Sequence, residues 1–328
     1  MEAPFNEDTF SRAIVVPWAG RRKEPPRAGT FPQGSEESRE IPRNGRLAPG
    51  RPGSCNTSIM LQNVLVPLDG SRISEEVLSP VVKLVRSAGG RLVLFHAVTP
   101  SEYFSVTAAQ YVEQERRRSA EYLQELAERA GRDGIGVQER IVTGEASREI
   151  VAEAKRSRAD LIAMSSHGRS GIREWAFGSV AERVLRTTNV PVLVFRGTVG
   201  RAWEARRILV ALDGSEDALE VVLPAAELAL AFKGSVTLVH AGKHQPPSLL
   251  LAEKVLQRHG VPFQVRLLAA DDPAPAILAA AEEEKADLLA LTTTGKSKRD
   301  RIFFGSVAEE LLKRSGLPLL VVHTGRTG

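Results

Sequence analysis

From about residue 60 onward, short runs of Val, Ile and Leu alternate with segments whose apolar residues recur every three or four positions. The runs predict strands over 62–68, 91–97, 136–142, 160–165 and 191–196, then again over 207–212, 235–241, 263–269, 287–292 and 317–323. They are almost continuously apolar, as strands covered on both faces must be. Between them, "ISEEVLSPVVKLV" sets Ile73, Val77, Val81, Leu84 and Val85 on one helical stripe. "SAEYLQELAERA" and "REIVAEAKR" carry the same period. Apolar strands alternating with amphipathic helices imply an α/β fold with helices on both faces of a parallel sheet.

The pattern occurs twice. "VLVPLDGS" (64–71) matches "ILVALDGS" (208–215) at six of eight positions, and "FGSVAERVLRTTNVPVLVFR" (177–196) matches "FGSVAEELLKRSGLPLLVVH" (304–323) at ten of twenty. Pro80 and Pro224 fall at the same place in the helix after each first match. A repeat this long means duplication of a whole domain, not a solenoid of short units. The expected domains are 59–197 and 206–325, joined by a linker over 198–205. Residues 1–58 hold eight of the nineteen prolines and show neither period, so they read as a disordered tail. Met60, directly before the first strand, offers an alternative start.

Composition narrows the class. The 328 residues suffice for two cores, and 42% hydrophobic with 26% charged residues is ordinary for a globular protein. Neither an apolar run of membrane-spanning length nor a signal peptide is evident, and a lone cysteine, Cys55, makes no internal disulfide. A cytoplasmic setting is expected, with no membrane partner. The net charge of +4 is too small to argue for nucleic acid.

Candidate chemistry gathers at strand ends. In open α/β sheets ligands bind beyond the carboxyl ends of the strands, where strand order reverses. Asp69 and Asp213 follow the first strand of each repeat, and Ser165–Gly168 and Thr292–Gly295 follow the fourth. Gly168 and Gly295 would admit an anion close to the backbone. Gly178-Ser179 and Gly305-Ser306 open the next helices, whose amino ends suit phosphate. The local alternative is that Gly-Ser and Asp-Gly-Ser are ordinary caps and turns.

Other motifs drop out. "ALTTTGKS" (290–297) nearly spells a P-loop, but Ala290 belongs to a strand where that loop needs its first glycine. The histidines lack metal-ligand spacing, and His96 and His240 read as structural. Asp160 and Asp287 read as turn residues, and Ser71 and Ser215 have no general base nearby in sequence.

Both repeats, over about 60–325, resemble the universal stress protein family, and the chain looks like a tandem member. The ATP-binding branch of that family carries Gly-x2-Gly-x9-Gly-Ser/Thr after strand four. Here the register reads Ser165-x2-Gly168-x9-Gly178-Ser179 and Thr292-x2-Gly295-x9-Gly305-Ser306, so the first glycine is replaced in both. The resemblance implies two Rossmann-like domains of the adenine nucleotide alpha hydrolase type, paired about a pseudo-twofold through their last strands. It assigns Asp69 and Asp213 to the adenosine part, Ala97 and Ala241 to adenine, and the loop residues, including Arg169, to phosphate. The implied ligand is ATP, with or without magnesium, or another adenine nucleotide. The implied role is that of a stress regulator or sensor acting on an unidentified regulatory protein, with hydrolysis absent or slow. The alternatives are a stress protein that binds no nucleotide and acts through protein contacts, and a slow ATPase. A further homodimer is left open.

The first repeat is expected to be the better site. At a position needing positive φ, Thr292 would strain more than Ser165. Asp271 stands where the first repeat has Gly144, and Thr294 where it has His167. Lys296, Lys298, Arg299 and Arg301 could hold phosphates or form an exposed charged loop.

Overall fold

The computed structural model of the chain describes residues 61–99, 106–166, 177–197, 200, 202–242, 244–293 and 304–324. The predicted tail lies outside them, as do parts of the linker. The first repeat forms β1 (Asn63–Pro67), α1 (Arg72–Glu76), α2 (Leu78–Ala88), β2 (Arg91–Val98), α3 (Val106–Gly131), β3 (Gly136–Thr143), α4 (Ala146–Arg156), β4 (Leu161–Ser165), α5 (Ser179–Thr187) and β5 (Val192–Phe195). The second forms β6 (Arg207–Ala211), a 3-10 turn (Asp217–Val221), α6 (Val222–Ala231), β7 (Ser235–Ala241), α7 (Pro247–Arg258), β8 (Phe263–Leu268), α8 (Pro273–Glu283), β9 (Leu288–Thr292), α9 (Ser306–Arg314) and β10 (Leu319–Val322).

All ten expected strands are present, in one sheet of order β3-β2-β1-β4-β5-β10-β9-β6-β7-β8. The apolar runs become buried strands because helices cover both faces: β4 and β5 are buried at every position. One core lies under α2, α3, α6 and α7 and the other under α4, α5, α8 and α9; each runs unbroken through both repeats.

The predicted helix over 73–85 is interrupted at Val77, between α1 and α2. Pro80 lacks the N–H that would bond to the carbonyl of Glu76, so the helix restarts with the proline in its first turn, where that donor is not needed. Pro224 holds the same place in α6, after the 3-10 turn. The shared prolines thus shape the chain beyond each strand-end Asp.

The repeats join along β5 and β10, which pair antiparallel with Leu319 opposite Val194 and Val321 opposite Val192. Every other pairing in the sheet is parallel. All eight side chains of the two strands are buried, and burial of one such side chain contributes roughly 1.5–3 kcal/mol. This removes two apolar edges that would otherwise invite aggregation. Arg196, just past β5, reaches across the seam and donates to the carbonyls of Leu312 (2.8 Å), Lys313 (3.2 Å) and Ser315 (2.6 Å) at the carboxyl end of α9. Trp203 packs edge-on against Phe195 and Phe232 and donates from Nε1 to the carbonyl of Asp287 at 3.0 Å.

Candidate functional site

In the first repeat β1 lies between β2 and β4, and in the second β6 lies between β7 and β9. β2 follows β1 on one side and β4 pairs with it on the other, so strand order reverses at β1, and the loops leaving β1 and β4 emerge side by side. This brings Asp69 to the same sheet end as Ser165, and Asp213 to that of Thr292. The predicted convergence of strands one and four is thus present in both repeats.

Each Asp sits in a side-chain-closed turn. The Asp69 carboxylate accepts through Oδ1 from the backbone N–H of Ser71 at 3.0 Å and from its hydroxyl at 2.6 Å. Asp213 repeats this with Ser215 at 2.8 and 2.6 Å. The serine hydroxyl in turn accepts from the chain three residues on, Ser74 N–H or Ala218 N–H, at 3.2 Å. Gly70 (φ 78°) and Gly214 (φ 89°) supply the left-handed residue these turns require. Asp-Gly-Ser therefore fixes a carboxylate at a strand end and caps the segment after it.

His96 and His240 brace these turns. Nδ1 of each lies 2.8 Å from the carbonyl of the residue before the Asp, Leu68 or Leu212. A ring nitrogen against a carbonyl must carry the proton, so both rings act as struts, as the sequence suggested. Asp160 and Asp287 are structural too: Asp160 accepts from the amides of Gln62 and Asn63, and Asp287 from that of Arg207, at the amino ends of the strands.

The loops after β4 and β9 close alike. Gly178 donates its N–H to the carbonyl of Ser166 at 2.7 Å, and Gly305 donates to that of Thr293 at 2.9 Å. Both glycines are N-caps with extended backbone (φ −67°, ψ 154° and φ −58°, ψ 148°) and provide no side-chain cap. Ser179 and Ser306 open α5 and α9. The first-turn amides of a helix have no intrahelical acceptors, so the geometry is open to an anion. His167, Gly168, Arg169, Thr294, Gly295, Lys296, Lys298, Arg299 and Arg301 lie outside the described residues.

One expectation changes. Ser165 and Thr292 end strands β4 and β9 and have no positive φ. The strain that would set Thr292 apart does not arise, because extended backbone suits a β-branched residue. Nor does Asp271 simply replace Gly144. Gly144 alone separates β3 from the N-cap Glu145, whereas Ala269, Ala270 and Asp271 separate β8 from the N-cap Asp272.

The repeats differ in what surrounds the turn. Ala97 and Ala241 lie near the carboxyl ends of β2 and β7. Beyond Ala241, Pro246 packs so closely that a Cβ on Gly214 would lie 3.3 Å from it and 3.2 Å from His240. A Cβ on Gly242 would stand 2.6 Å from His240 Nε2. In the first repeat, Tyr122 of α3 meets His96 edge-on at 6.4 Å. Burial, then the Glu75 carboxylate, then that of Asp69 push its hydroxyl far above the usual phenol range. In the sequence Tyr122 belongs to the amphipathic segment SAEYLQELAERA and differs from its neighbours only in being aromatic among aliphatics. At the end of β10, His323 Nδ1 lies 2.8 Å from the hydroxyl of Thr293, and burial lowers its pKa.

Among the described residues, no group of three or more His, Cys, Asp or Glu side chains is placed to hold a metal ion, and no helix is long and apolar enough to cross a membrane.

The sequence pattern of the universal stress protein family matches residues 60–196, 204–254 and 243–323. The universal stress protein YxiE of Bacillus subtilis is 29% identical over 151 residues, 42% of this chain and 100% of that one. The universal stress protein Rv2005c of Mycobacterium tuberculosis is 32% identical over 142 residues, 40% of this chain and 45% of that one. In architecture, a universal stress protein of Archaeoglobus fulgidus superposes with a TM-score of 0.69 at 24% identity, covering 81% of this chain and 100% of its own. That likeness speaks to the fold.

Proposed function

The chain belongs to the universal stress protein family, and from that premise we propose that it is a nucleotide-responsive stress regulator, binding ATP or another adenine nucleotide in its first repeat. The observation that carries the reading is the placing of a fixed Asp69 carboxylate at the same sheet end as Ser165, where strand order reverses. The turn aims the carboxylate, which is what an acceptor for ribose hydroxyls needs. Backbone at Ala97 would meet the adenine edge. Phosphates would lie against Ser165, Gly168, Arg169, the side-chain-free Gly178 and the first-turn amides of α5 that begin at Ser179, with magnesium, if bound, balancing their charge. The second repeat offers Asp213, Ala241, Thr292, Gly295, Gly305 and Ser306 in the same roles, but Pro246 stands against the turn that presents Asp213. The domains act as 59–197 and 206–325, working in the cytoplasm on a regulatory protein.

Titration calorimetry of the full chain with ATP tests this. Saturable binding is expected, weakened at least ~10-fold by Asp69→Ala. Absence of binding at millimolar ATP would overturn the reading and leave a protein acting through protein contacts alone.

A further inference from the structure

Both strand-end loops enter their helices through a phenylalanine. Phe177 precedes the N-cap Gly178, Phe304 precedes the N-cap Gly305, and each ring packs on the core beneath α4, α5, α8 and α9. Each ring also carries an arginine. The Arg196 guanidinium lies 5.7 Å from the centroid of Phe177, and that of Arg186 lies 4.6 Å from the centroid of Phe304. Such contacts occur about once per 70–80 residues, so their number here is ordinary. Their place is not, because both fall on the residue next to an N-cap glycine of a candidate anion cradle.

Both arginines tie the loop they cover to the opposite repeat. Arg186 belongs to α5 of the first repeat and covers the loop of the second. Arg196 covers the loop of its own repeat, but its guanidinium is bonded to the carbonyls of Leu312, Lys313 and Ser315 at the end of α9. Counted from the N-cap glycines, Arg186 corresponds to Lys313 and Arg196 to His323. Duplication alone would have repeated one pair; here the ring is kept and the arginine comes from a different place each time. Nor does the seam need the rings for its stability. β5 and β10 already bury eight side chains, and the carbonyls of α9 accept from Arg196 whether or not Phe177 lies against it. What the ring contact adds is a fixed direction for the chain as it enters α5. Phe177 is held between core and guanidinium, and Gly178 follows directly, its N–H on the carbonyl of Ser166 at 2.7 Å.

We propose that Arg196 is a positioning residue for the first-repeat site, holding Phe177 so that Gly178 and the first-turn amides of α5 keep the geometry of an anion cradle. Because Arg196 is anchored to α9, that site is completed by the second repeat. The proposal rests on the nucleotide reading given above. A cradle whose amides are set before the phosphate arrives loses less freedom on binding, and Arg196 is partly buried, where a cation gains most from a ring face.

Calorimetric titration with ATP and amide hydrogen exchange, both on the full chain, test it. Arg196→Ala should weaken ATP at least ~5-fold and speed exchange of the Gly178 amide at least ~5-fold, with that of Gly305 changed less than about 2-fold. Phe177→Leu keeps an apolar side chain on the core but removes the ring, and should do the same. Phe177→Tyr keeps the ring and should behave as the unaltered chain. Two controls separate positioning from stability. Val321→Ala weakens the seam opposite Val192, away from Arg196, and Phe304→Leu strips the ring from the other loop. Both should leave ATP binding within about 2-fold. Folded Arg196→Ala and Phe177→Leu proteins that bind ATP normally overturn the inference and leave the nucleotide reading standing. Equal weakening by Val321→Ala also overturns it, since the effect would then be one of seam stability. If the unaltered chain binds no ATP at millimolar concentration, the nucleotide reading falls, and exchange alone decides the brace: a Gly178 amide indifferent to Arg196→Ala overturns it.

Discussion

The two repeats share a strand order, the Asp-Gly-Ser turn, the histidine strut and the loop closure at Gly178 or Gly305, yet they differ in everything that leans on these parts. Arg196 ends the first repeat by clasping the carbonyl end of α9, while its counterpart His323 reaches Thr293 within its own repeat. Tyr122 stands beside His96, whereas in the second repeat Pro246 stands beside Gly214 of the turn. Glu145 caps α4 with its side chain, and Asp272 makes no such bond to α8. The shared parts are those the α/β crossover itself requires. The differing parts decide whether a cleft is open and which repeat holds the other, so retention of a motif does not measure retention of a site.

The largest difference should appear at the seam. Arg196→Ala removes the guanidinium donors to three carbonyls, two of them partly buried, a loss of about 2–3 kcal/mol. His323→Ala removes one neutral bond and should cost about 1 kcal/mol. Urea unfolding of the two variants ranks them. Equal losses would mean that the clasp is redundant with the eight buried side chains of β5 and β10.

Next comes the ligand. Asp69→Ala is expected to weaken ATP at least ~10-fold, about 1.4 kcal/mol, and Asp213→Ala less than about 2-fold. Asp69→Asn keeps an acceptor for Ser71 and so separates loss of the turn from loss of charge. A larger effect from Asp213→Ala would reverse the ranking, and with it the meaning given to Pro246.

Gly178→Val sharpens the same comparison. Its backbone, at φ −67° and ψ 154°, is open to any residue, so the substitution brings no backbone strain. Stability should fall by only about 1 kcal/mol or less, as at an N-cap. ATP binding should fall at least ~10-fold, because the new side chain would enter the space assigned to phosphate. Gly305→Val should leave binding within about 2-fold. Normal ATP binding by folded Gly178→Val would make the loop a turn and nothing more.

The central strands were legible because they are buried on both faces, which writes nearly continuous apolar residues into the chain at β4, β5, β9 and β10. The edge strands β3 and β8 have no fully buried position and carry polar residues among the apolar ones. The break at Val77 was not, because the stripe from Ile73 to Val85 keeps its period across it; only the missing N–H of Pro80 marks the place. Asp69 and Gly178 could be named because they belong to local motifs. Tyr122 could not, since its approach to Asp69 and Glu75 depends on how α3 packs, and a helix stripe carries no record of its neighbours. Arg196 was likewise invisible: its acceptors lie more than a hundred residues away, across a seam formed by tertiary pairing.

The smallest expected effect concerns the helix caps and carries a sign that can be checked. Glu145 accepts from the amides of Ser147 and Arg148, each at 3.2 Å, with the Arg183 guanidinium at 3.3 Å. Burial works against its charge, but these bonds and Arg183 outweigh it and hold the carboxyl below its ordinary 4.5. A folded pKa below the unfolded one adds stability that is fully present above the unfolded value and is lost as pH falls through the folded value. Glu145→Ala should therefore cost about 1 kcal/mol or less at pH 7, reduced by the exposure of the pair. That cost should shrink as pH is taken below 4.5. Asp272→Ala should cost less at pH 7, because its side chain makes no cap bond. Urea melts of both variants at about pH 7, 5 and 4 give the comparison. If the Glu145 penalty stays constant across that range, the cap acts as a neutral hydrogen-bond acceptor and its charge contributes nothing to the difference between the repeats.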